Sequence, residues 1–546
     1  MKQGTATGIQ NYLRAIAKPS VALVAILAFT FYLRFQYFGQ YIDGDVGNVA
    51  YQAWRMAKGE ILVDLEGPGK PPLYPMLYAV FIRFFGPSVL GLKMFGAIFV
   101  LGAVLAVYWL ANQAYGKKVG LIAALLFGVF SSGPIIDGGT VNLETVMHLP
   151  YVLAIGLFLK AATSGRLRWY FLAGIFAALA TLVKQVAGVL FFVFLCDGVG
   201  EWWGKKAMPL RRDLLHRYIL LIAGALLPLI TMIVFYRFHG YSLNQLYDSM
   251  LASNLRYIQR GYEYRSLLGF FCSAMKVMLP ENGLLWFGTG FAAVYMGRRV
   301  WCGKGEARDR VLLWWVFWSF AVLWISGTFF YHYFLQVIGP LSVLAAFGIA
   351  ASWEKLESLS PLPRFVAKVG RALLLIILVF VFIETDYKYF FSYSPVEQTA
   401  FQIKISNGVF AQYGIINVLD HEIARYIRDQ TYPAETIYVW GIAPQIYFLA
   451  QRRAATRYRN NWNMSKLVTT NSLEALQDYA PLVMEDLKKS PPSYIVQIFP
   501  LEYFPELQAF VRNYYLEDEN IEFDLSPWRI RLYQRRLDNQ ILSIRR

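Results

Sequence analysis

The sequence predicts a mainly α-helical membrane protein with many spans, followed by a smaller α/β domain at its C-terminal end. Of its 546 residues, 57% are hydrophobic and only 16% are charged, and the mean hydropathy is +0.39. A soluble protein of this size carries about 25% charged residues. The apolar residues are concentrated in long runs, as in membrane-spanning helices. These runs stop after about residue 385, where the composition becomes that of a soluble domain.

The spacing of the apolar runs predicts about eleven spans. Basic residues recur in the short loops between them, which is typical of cytoplasmic loops. The basic residues behind the net charge of +16 are therefore explained by cytoplasmic loops, and a nucleic-acid partner is excluded. With the basic loops in the cytoplasm, an odd number of spans puts the N-terminus in the cytoplasm and the C-terminal domain outside. The predicted location is the plasma (inner) membrane, where the spans contact membrane lipids. The predicted spans are 20–38, 88–112, 119–136, 146–162, 168–183, 186–200, 218–236, 280–297, 311–327, 334–351 and 371–386.

The first outer loop, 39–87, follows the first span directly and is rich in carboxylates. The apolar stretch 71–85 within it has a helical pattern but is too short to cross a bilayer comfortably. We therefore predict interfacial helices in this loop. Residues 1–386 form the predicted transmembrane domain, and the first span, which lacks a small-residue cleavage site, is expected to remain as an anchor.

The predicted C-terminal domain covers residues 387–546. Residues 436–440 and 493–498 have the pattern of buried strands, 502–514 that of an amphipathic helix, and 528–533 that of a closing strand. About 110–160 residues can form a core of their own. The domain contains no Gly-rich phosphate loop, so nothing in its sequence indicates nucleotide binding.

Two carboxylates, Asp43 and Asp45, stand where the chain leaves the first span. A carboxylate near the bilayer with a second acid beside it has a raised pKa, which suits a base for an acceptor hydroxyl. A solvated loop that caps a helix is the alternative. Lys70 precedes Pro71-Pro72, a stiff helix start that holds an ammonium at a defined place. A lysine that merely extends to the interface has the same pattern.

Further candidates lie in the other outer loops. Glu144, just after Asn142, begins the fourth span, where it either caps the helix or adds a carboxylate to the same cavity. Arg256 and Arg260 give the loop 237–279 a basic character against the positive-inside trend, which indicates an anionic partner such as a lipid phosphate. An interfacial aromatic belt explains the tyrosines of that loop equally well. His332, at the outer start of the tenth span, is a candidate phosphate ligand.

The order of these motifs resembles the bacterial GT-C glycosyltransferases, the group of the protein O-mannosyltransferases and the lipid A aminoarabinose transferase. The resemblance extends over nearly the whole chain, and it depends on the order of the motifs because no single motif is specific. The motifs are Asp45-x7-Ala53-x5-Gly59, Asp64, Lys70-Pro71-Pro72-x-Tyr74, Asn142-x-Glu144-x-x-Met147, His332-Tyr333-Phe334-Leu335-Gln336-x-x-x-Pro340 and Val439-Trp440-Gly441-x-x-Pro444-Gln445-Ile446-Tyr447.

The resemblance implies inverting transfer of a sugar from a polyprenyl-phosphate donor on the extracytoplasmic face. The family has an Asp-Glu pair in its first outer loop, where this chain has Asp45-Val46, so Asp43 is the candidate for the second acid. The family's basic residue corresponds to Lys70 and its acid in the second outer loop to Glu144. Other residues expected to bind substrate are Asp64, Asn142, Tyr333 and, for the lipid phosphate, Arg256 followed by Arg260 and His332.

The acceptor implied is a protein, lipid or glycan hydroxyl. Two carboxylates can bind a divalent cation, but the resemblance indicates chemistry without a metal or other cofactor. Three rival functions stay open at this point. A transporter would place charged residues near the middle of its spans, an O-antigen ligase or polymerase would also act on lipid-linked glycans, and a structural membrane subunit would have no chemistry.

Overall fold

The computed structural model describes residues 19–62, 69–204, 208–263, 267–327, 329–357, 397, 411–459, 479–525 and 528–536. Most of this is helix, as predicted. The last predicted span, 371–386, lies outside the described residues. Within them, a helix lies at each of the other ten predicted span positions. Helix α1 (Pro19–Phe35) lies at the first predicted span, and α2 (Gly44–Ala57) follows it in the outer loop.

The remaining helices of this part follow in order. They are α3 (Leu73–Phe85), α4 (Val89–Tyr115), α5 (Lys117–Phe130), α6 (Leu143–Ser164), α7 (Leu167–Val183), α8 (Val189–Gly204), α9 (Met208–Phe238), α10 (Leu243–Tyr247), α11 (Ser253–Glu263), α12 (Leu267–Glu281), α13 (Gly283–Trp301), α14 (Ala307–Ser326) and α15 (Leu335–Glu357). Two short 3-10 helices, Gln185–Gly188 and Tyr331–Phe334, precede α8 and α15, and a π-helix, Asp248–Ala252, joins α10 to α11.

Among the described residues, six helical segments are long and apolar enough to cross a membrane, and the chain is therefore a multi-pass membrane protein. Four shorter apolar helices of 10–17 residues accompany them, and these include α1, α3 and α7. The six segments are Val89–Tyr115, Leu143–Ser164, Gln185–Trp202, Arg212–Phe238, Ala307–Ser326 and Tyr331–Ser352.

The C-terminal part contains a five-stranded mixed sheet. Among its described residues, the helices are α16 (Ala411–Gln430), α17 (Gln445–Ala450), α18 (Ala480–Lys489) and α19 (Pro505–Tyr514). Its strands are β1 (Thr436–Trp440), β2 (Arg453–Ala454), β3 (Tyr494–Gln497), β4 (Tyr515–Leu525) and β5 (Trp528–Arg535). The strand order is β2-β1-β3-β5-β4. The first three strands are parallel, and β5 runs antiparallel to β3 and β4.

The two faces of this sheet pack into different cores because side chains alternate along a strand. Tyr438 and Trp440 of β1 pack in a cluster with residues of α18 and α19. Ile437 and Val439 belong instead to the large core that also contains the buried residues of α2 and the membrane helices. The C-terminal sheet and the first outer loop therefore share one continuous core.

Helix α2 forms the floor of the outer loop and is buried along most of its length, from Val46 to Met56. Asp43 caps its N-terminus by accepting a hydrogen bond from the Val46 N–H at 2.8 Å. Glycine is required on the side that faces α17, since a Cβ at Gly47 would lie 2.3 Å from the Gln445 Cβ. The C-terminal sheet and its helices pack against α2, whereas the apolar stretch 71–85, predicted as a helix on the membrane interface, forms the separate helix α3.

Candidate functional site

The N-terminus of α2 presents two carboxylates with different surroundings. Asp45 is in the first helical turn, and 59% of its side chain is exposed. Asp43 is half-buried, with one oxygen committed to the helix cap. Of the two, Asp45 is therefore the carboxylate open to a substrate.

Lys70 is the direct partner of Asp45. Its Nζ lies 2.9 Å from Asp45 Oδ1, and its side chain is 20% exposed. The Lys70 ammonium holds the pKa of the Asp45 carboxyl below its usual value. A charge-assisted hydrogen bond of this length is among the stronger kinds in proteins.

The backbone before Lys70 is fixed by the loop that follows α9. The Gly69 N–H donates to Ser253 Oγ at 3.1 Å, and the Gly69 carbonyl accepts from Gln185 Nε2 and Asn254 Nδ2 at 3.1 and 3.0 Å. A Cβ at Gly69 would lie 1.9 Å from the Ser249 carbonyl oxygen, in the π-helix. The π-helix and α11 therefore lock the turn that carries Lys70.

Glu144, near the start of α6, forms a second ion pair with Lys184, the residue between α7 and the following 3-10 helix. Both side chains are largely buried, with 1% and 15% exposed. The Lys184 ammonium also lies 4.4 Å from the centre of the Tyr333 ring, over its face. Burial lowers the pKa of Lys184, and Glu144 opposes that change.

The two ion pairs belong to one group, which we call the site cluster: Asp45, Lys70, Glu144, Lys184 and His332. Lys184 lies close enough to Asp45 and Lys70 for their charges to act on it. His332 interacts in the same way with Asp45 and Glu144. The structure thus brings together Asp45, Lys70, Glu144 and His332, four residues singled out from the sequence, with Tyr333 against Lys184.

A second charge cluster, formed by Asp43, Lys93 and Asp137, lies beside the first. Lys93 is 3% exposed and donates to the Gly139 carbonyl at 3.1 Å. Asp137 adopts a positive φ of 56° and accepts hydrogen bonds from Thr140 Oγ1 and, at 3.4 Å, from Asn142 Nδ2. Asn142 thus supports this second cluster through Asp137.

The carboxylates of the second charge cluster ionise with difficulty. Burial, reinforced by the negative charge of Asp45, raises the pKa of Asp43 to about 6. Burial and the nearby Asp43 raise the pKa of Asp137 to about 7. The site therefore combines one acid that is readily ionised, Asp45, with two that titrate near neutral pH.

One predicted site residue, Arg256, pairs outside the site cluster, and the side chains of two others lie outside the described residues. The Arg256 guanidinium, in α11, bonds Asp248 Oδ1 at 2.8 Å, and both side chains are about half exposed. Asp64 and the side chain of Arg260 lie outside the described residues. No group of three or more His, Cys, Asp and Glu side chains in the described part of the chain is arranged to hold a metal ion.

Sequence reasoning did not assign a role to Lys93, Asp137 or Lys184. Asp137 and Lys184 did carry a signal, since one stands in the loop before Glu144 and the other interrupts an apolar stretch. Lys93 lies in the long apolar helix α4, where a lone lysine has no local signature. Its partner, the Gly139 carbonyl, is known only from the structure, in which α4 packs beside the second outer loop.

A family model described as dolichyl-phosphate-mannose-protein mannosyltransferase matches residues 69–236. This segment contains Lys70, Lys93, Asp137, Glu144 and Lys184. No curated protein matches the chain in a sequence search.

Solved structures match the fold over nearly the whole chain. ArnT from Cupriavidus metallidurans, crystallised with undecaprenyl phosphate, is 14% identical and has a TM-score of 0.56; the match covers 94% of this chain and 97% of ArnT. The chain has the GT-C fold. An oligosaccharyltransferase from Archaeoglobus fulgidus, in the apo form, is also 14% identical with a TM-score of 0.51, and the match covers 91% of this chain and 73% of that one. The resemblance to GT-C glycosyltransferases, indicated by the order of the motifs, is confirmed.

Proposed function

We propose that this GT-C chain transfers a sugar from a polyprenyl-phosphate donor to an acceptor hydroxyl, with inversion, on the extracytoplasmic face of the membrane. The observation that carries the proposal is the site cluster, in which an exposed carboxylate, Asp45, stands beside two ammonium groups, Lys70 and Lys184. Such a transfer requires a base for the acceptor and cations for the departing phosphate.

Asp45 is the proposed base because it is the exposed carboxylate. In a single displacement the acceptor oxygen attacks the anomeric carbon, the bond from that carbon to the phosphate oxygen breaks, and the acceptor proton passes to Asp45. Polyprenyl phosphate leaves with the bonding electron pair. One displacement at one carbon inverts its configuration, and no covalent sugar–enzyme intermediate forms.

Lys70 has two partners in this scheme. Before the donor binds, Lys70 pairs with Asp45 and keeps the pKa of the Asp45 carboxyl low. The donor phosphate competes for the same ammonium, which weakens the bond to Asp45 and makes that carboxylate more basic. Donor binding therefore prepares the base. Lys184 and Lys70 together supply the positive charge, so we propose that the transfer needs no metal or other cofactor.

The position of the charges favours an enzyme over a transporter. Glu144 is the second residue of its helix and Lys93 the fifth. These charges therefore lie at helix ends, where the outer loops meet, and not near the middle of a span, where transporters place their sites. We further propose eleven spans in the inner membrane, with the N-terminus in the cytoplasm and the C-terminal α/β domain outside.

The proposed function is tested with the purified chain in nanodiscs. Polyprenyl-phosphate hexoses and pentoses are supplied with an extract of cell-envelope glycans, lipids and proteins, and the release of polyprenyl phosphate is measured together with the sugar gained by the acceptor. We expect acceptor-dependent release with an inverted anomeric centre. Asp45→Asn should abolish release without lowering the melting temperature. Equal release by the wild type and this variant would refute the proposed base.

The acceptor class is found by mass spectrometry of the cell envelope with and without the chain. We expect loss of one sugar from a glycan, lipid or protein that is otherwise intact. A change in the transport of an unmodified molecule, with every glycan unchanged, would instead favour the transporter.

A further inference from the structure

The catalytic helix α2 is held from outside by residues more than 370 positions later in the chain. The Ile42 N–H, one residue before the Asp43 cap, donates to His421 Nε2 of α16 at 3.2 Å. In the first turn of α2, Gly44 and Gly47 lie close to Gln445. In the middle of α2, the Tyr51 hydroxyl accepts a hydrogen bond from the Ala454 N–H at 2.9 Å.

The contact at His421 is the one closest to the carboxylates. Because Nε2 accepts a hydrogen bond, the imidazole is neutral and carries its proton on Nδ1. The His421 ring also meets the Tyr41 ring edge-on, with the ring centres 4.7 Å apart. Ile42 is 1% exposed, so its N–H has little access to water as a substitute partner.

The surroundings keep this imidazole neutral. Burial, aided by the positive charge of Lys93, lowers the pKa of His421 to about 4. Lys93 is a member of the second charge cluster, which also contains Asp43. His421 thus stands beside that cluster as an uncharged acceptor.

We propose that His421 is a positioning residue for the transfer reaction, which sets the start of α2 and with it the place of Asp45 by accepting the Ile42 N–H. This inference depends on the proposed function. His421 itself is not placed against donor or acceptor. Its role is to fix the backbone that precedes Asp43, from which the first turn of α2 and the Asp45–Lys70 bond follow.

The expected effect falls on the chemical step. A misplacement of a catalytic group by about 1 Å costs on the order of 100-fold in rate. His421→Leu, which keeps bulk but removes the acceptor, should therefore lower kcat by roughly 10- to 100-fold and leave the Kd for polyprenyl phosphate within about twofold. His421→Gln places an amide oxygen where Nε2 stands and should restore most of kcat. His216→Leu, at an exposed histidine of α9, is the matched control and should behave as the wild type.

A second readout does not require turnover. Hydrogen exchange of the peptide that contains residues 38–50 should be faster in His421→Leu than in the wild type, and unchanged in His421→Gln and His216→Leu. Melting curves show whether His421→Leu folds. If it does not, the kcat and exchange of His421→Gln decide whether the proposal holds. The proposal is wrong if His421→Leu keeps wild-type kcat and exchange, or if a folded Gln variant loses as much kcat as the Leu variant. If the wild type transfers no sugar, the proposed function fails, while the exchange experiment still reports on the contact.

Discussion

The Lys70 ammonium and the Asp45 carboxylate, 25 residues apart in the chain, meet at 2.9 Å within the first outer loop. The pair joins the helix that carries the acids to the turn that precedes α3. In the proposed reaction, it also makes one cation available both to a protein carboxylate and to an incoming phosphate.

Removing the cation should weaken donor binding. A hydrogen bond to a charged group contributes about 1.5–3 kcal/mol, so Lys70→Met should raise the Kd for polyprenyl phosphate by roughly 10- to 100-fold. Lys70→Arg keeps the charge but changes its geometry, and should lose less. Isothermal titration in nanodiscs measures both values. Unchanged binding by the Met variant would exclude Lys70 from the phosphate site.

Activity should increase as the pH rises through about 6, the pKa to which burial raises Asp43. Above that pH the ionised Asp43 adds a negative charge beside Asp45 and makes it a stronger base. Asp43→Asn preserves the helix cap, since Asn is an equally good N-cap residue, and should remove this step from the plot of kcat against pH. A step of the same size in both proteins would assign it to another group.

The same titration should be visible in stability. Since the pKa of Asp43 is raised in the folded protein, its ionisation costs folding free energy. This loss of stability develops as the pH rises from the ordinary pKa of an aspartate to about 6. The melting temperature of the wild type should therefore decrease over that interval more than that of Asp43→Asn. Parallel melting curves for the two proteins would contradict the raised pKa.

The buried pair of Glu144 and Lys184 should matter for folding as well as for transfer. Removing one partner of a buried ion pair costs about 3–5 kcal/mol, so Glu144→Gln should lower the melting temperature strongly. The double variant Glu144→Gln/Lys184→Met leaves no charge without a partner and should recover part of that loss while remaining inactive. Glu422→Gln breaks an exposed pair with Arg425 and should cost about 0–1 kcal/mol, which makes it the control.

Gly69 should tolerate no side chain. A Cβ there would lie 1.9 Å from the backbone oxygen of Ser249, so Gly69→Ala must push the π-helix away or displace Lys70. A displacement of about 1 Å would lower kcat on the order of 100-fold. Gly290→Ala, in α13, meets nothing within 4 Å and should leave kcat unchanged. Wild-type kcat in Gly69→Ala would show that the turn is not locked as described.

The sequence was most informative for site residues that lie near one another along the chain. Asp43, Asp45 and Lys70 stand in one loop, so their juxtaposition could be inferred without a fold. Glu144 was found through its place after Asn142 in a second outer loop. The positions of the helices followed from apolar runs because a bilayer imposes their length.

What the sequence could not provide are partners brought together by packing. Lys184 stood out as a charge in an apolar stretch, but only the meeting of α6 and α7 joins it to Glu144. Arg256 has the charge expected of a phosphate ligand, yet its partner in the structure, Asp248, lies on the neighbouring π-helix. The motif at Pro444-Gln445 does not predict its packing on Gly47, because the only sequence feature of a close backbone approach is a glycine.

The bond between Ile42 and His421 spans 379 positions of the chain. At a synthesis rate of about 5–20 residues per second, the ribosome needs roughly 20–80 s to travel from one to the other. During that time α2 emerges, with its acids, but the sheet and helices that cover it do not yet exist. The protein is therefore completed late around one of its earliest helices, and a partly made chain contains Asp43 and Asp45 before it contains the residues that hold α2 in place.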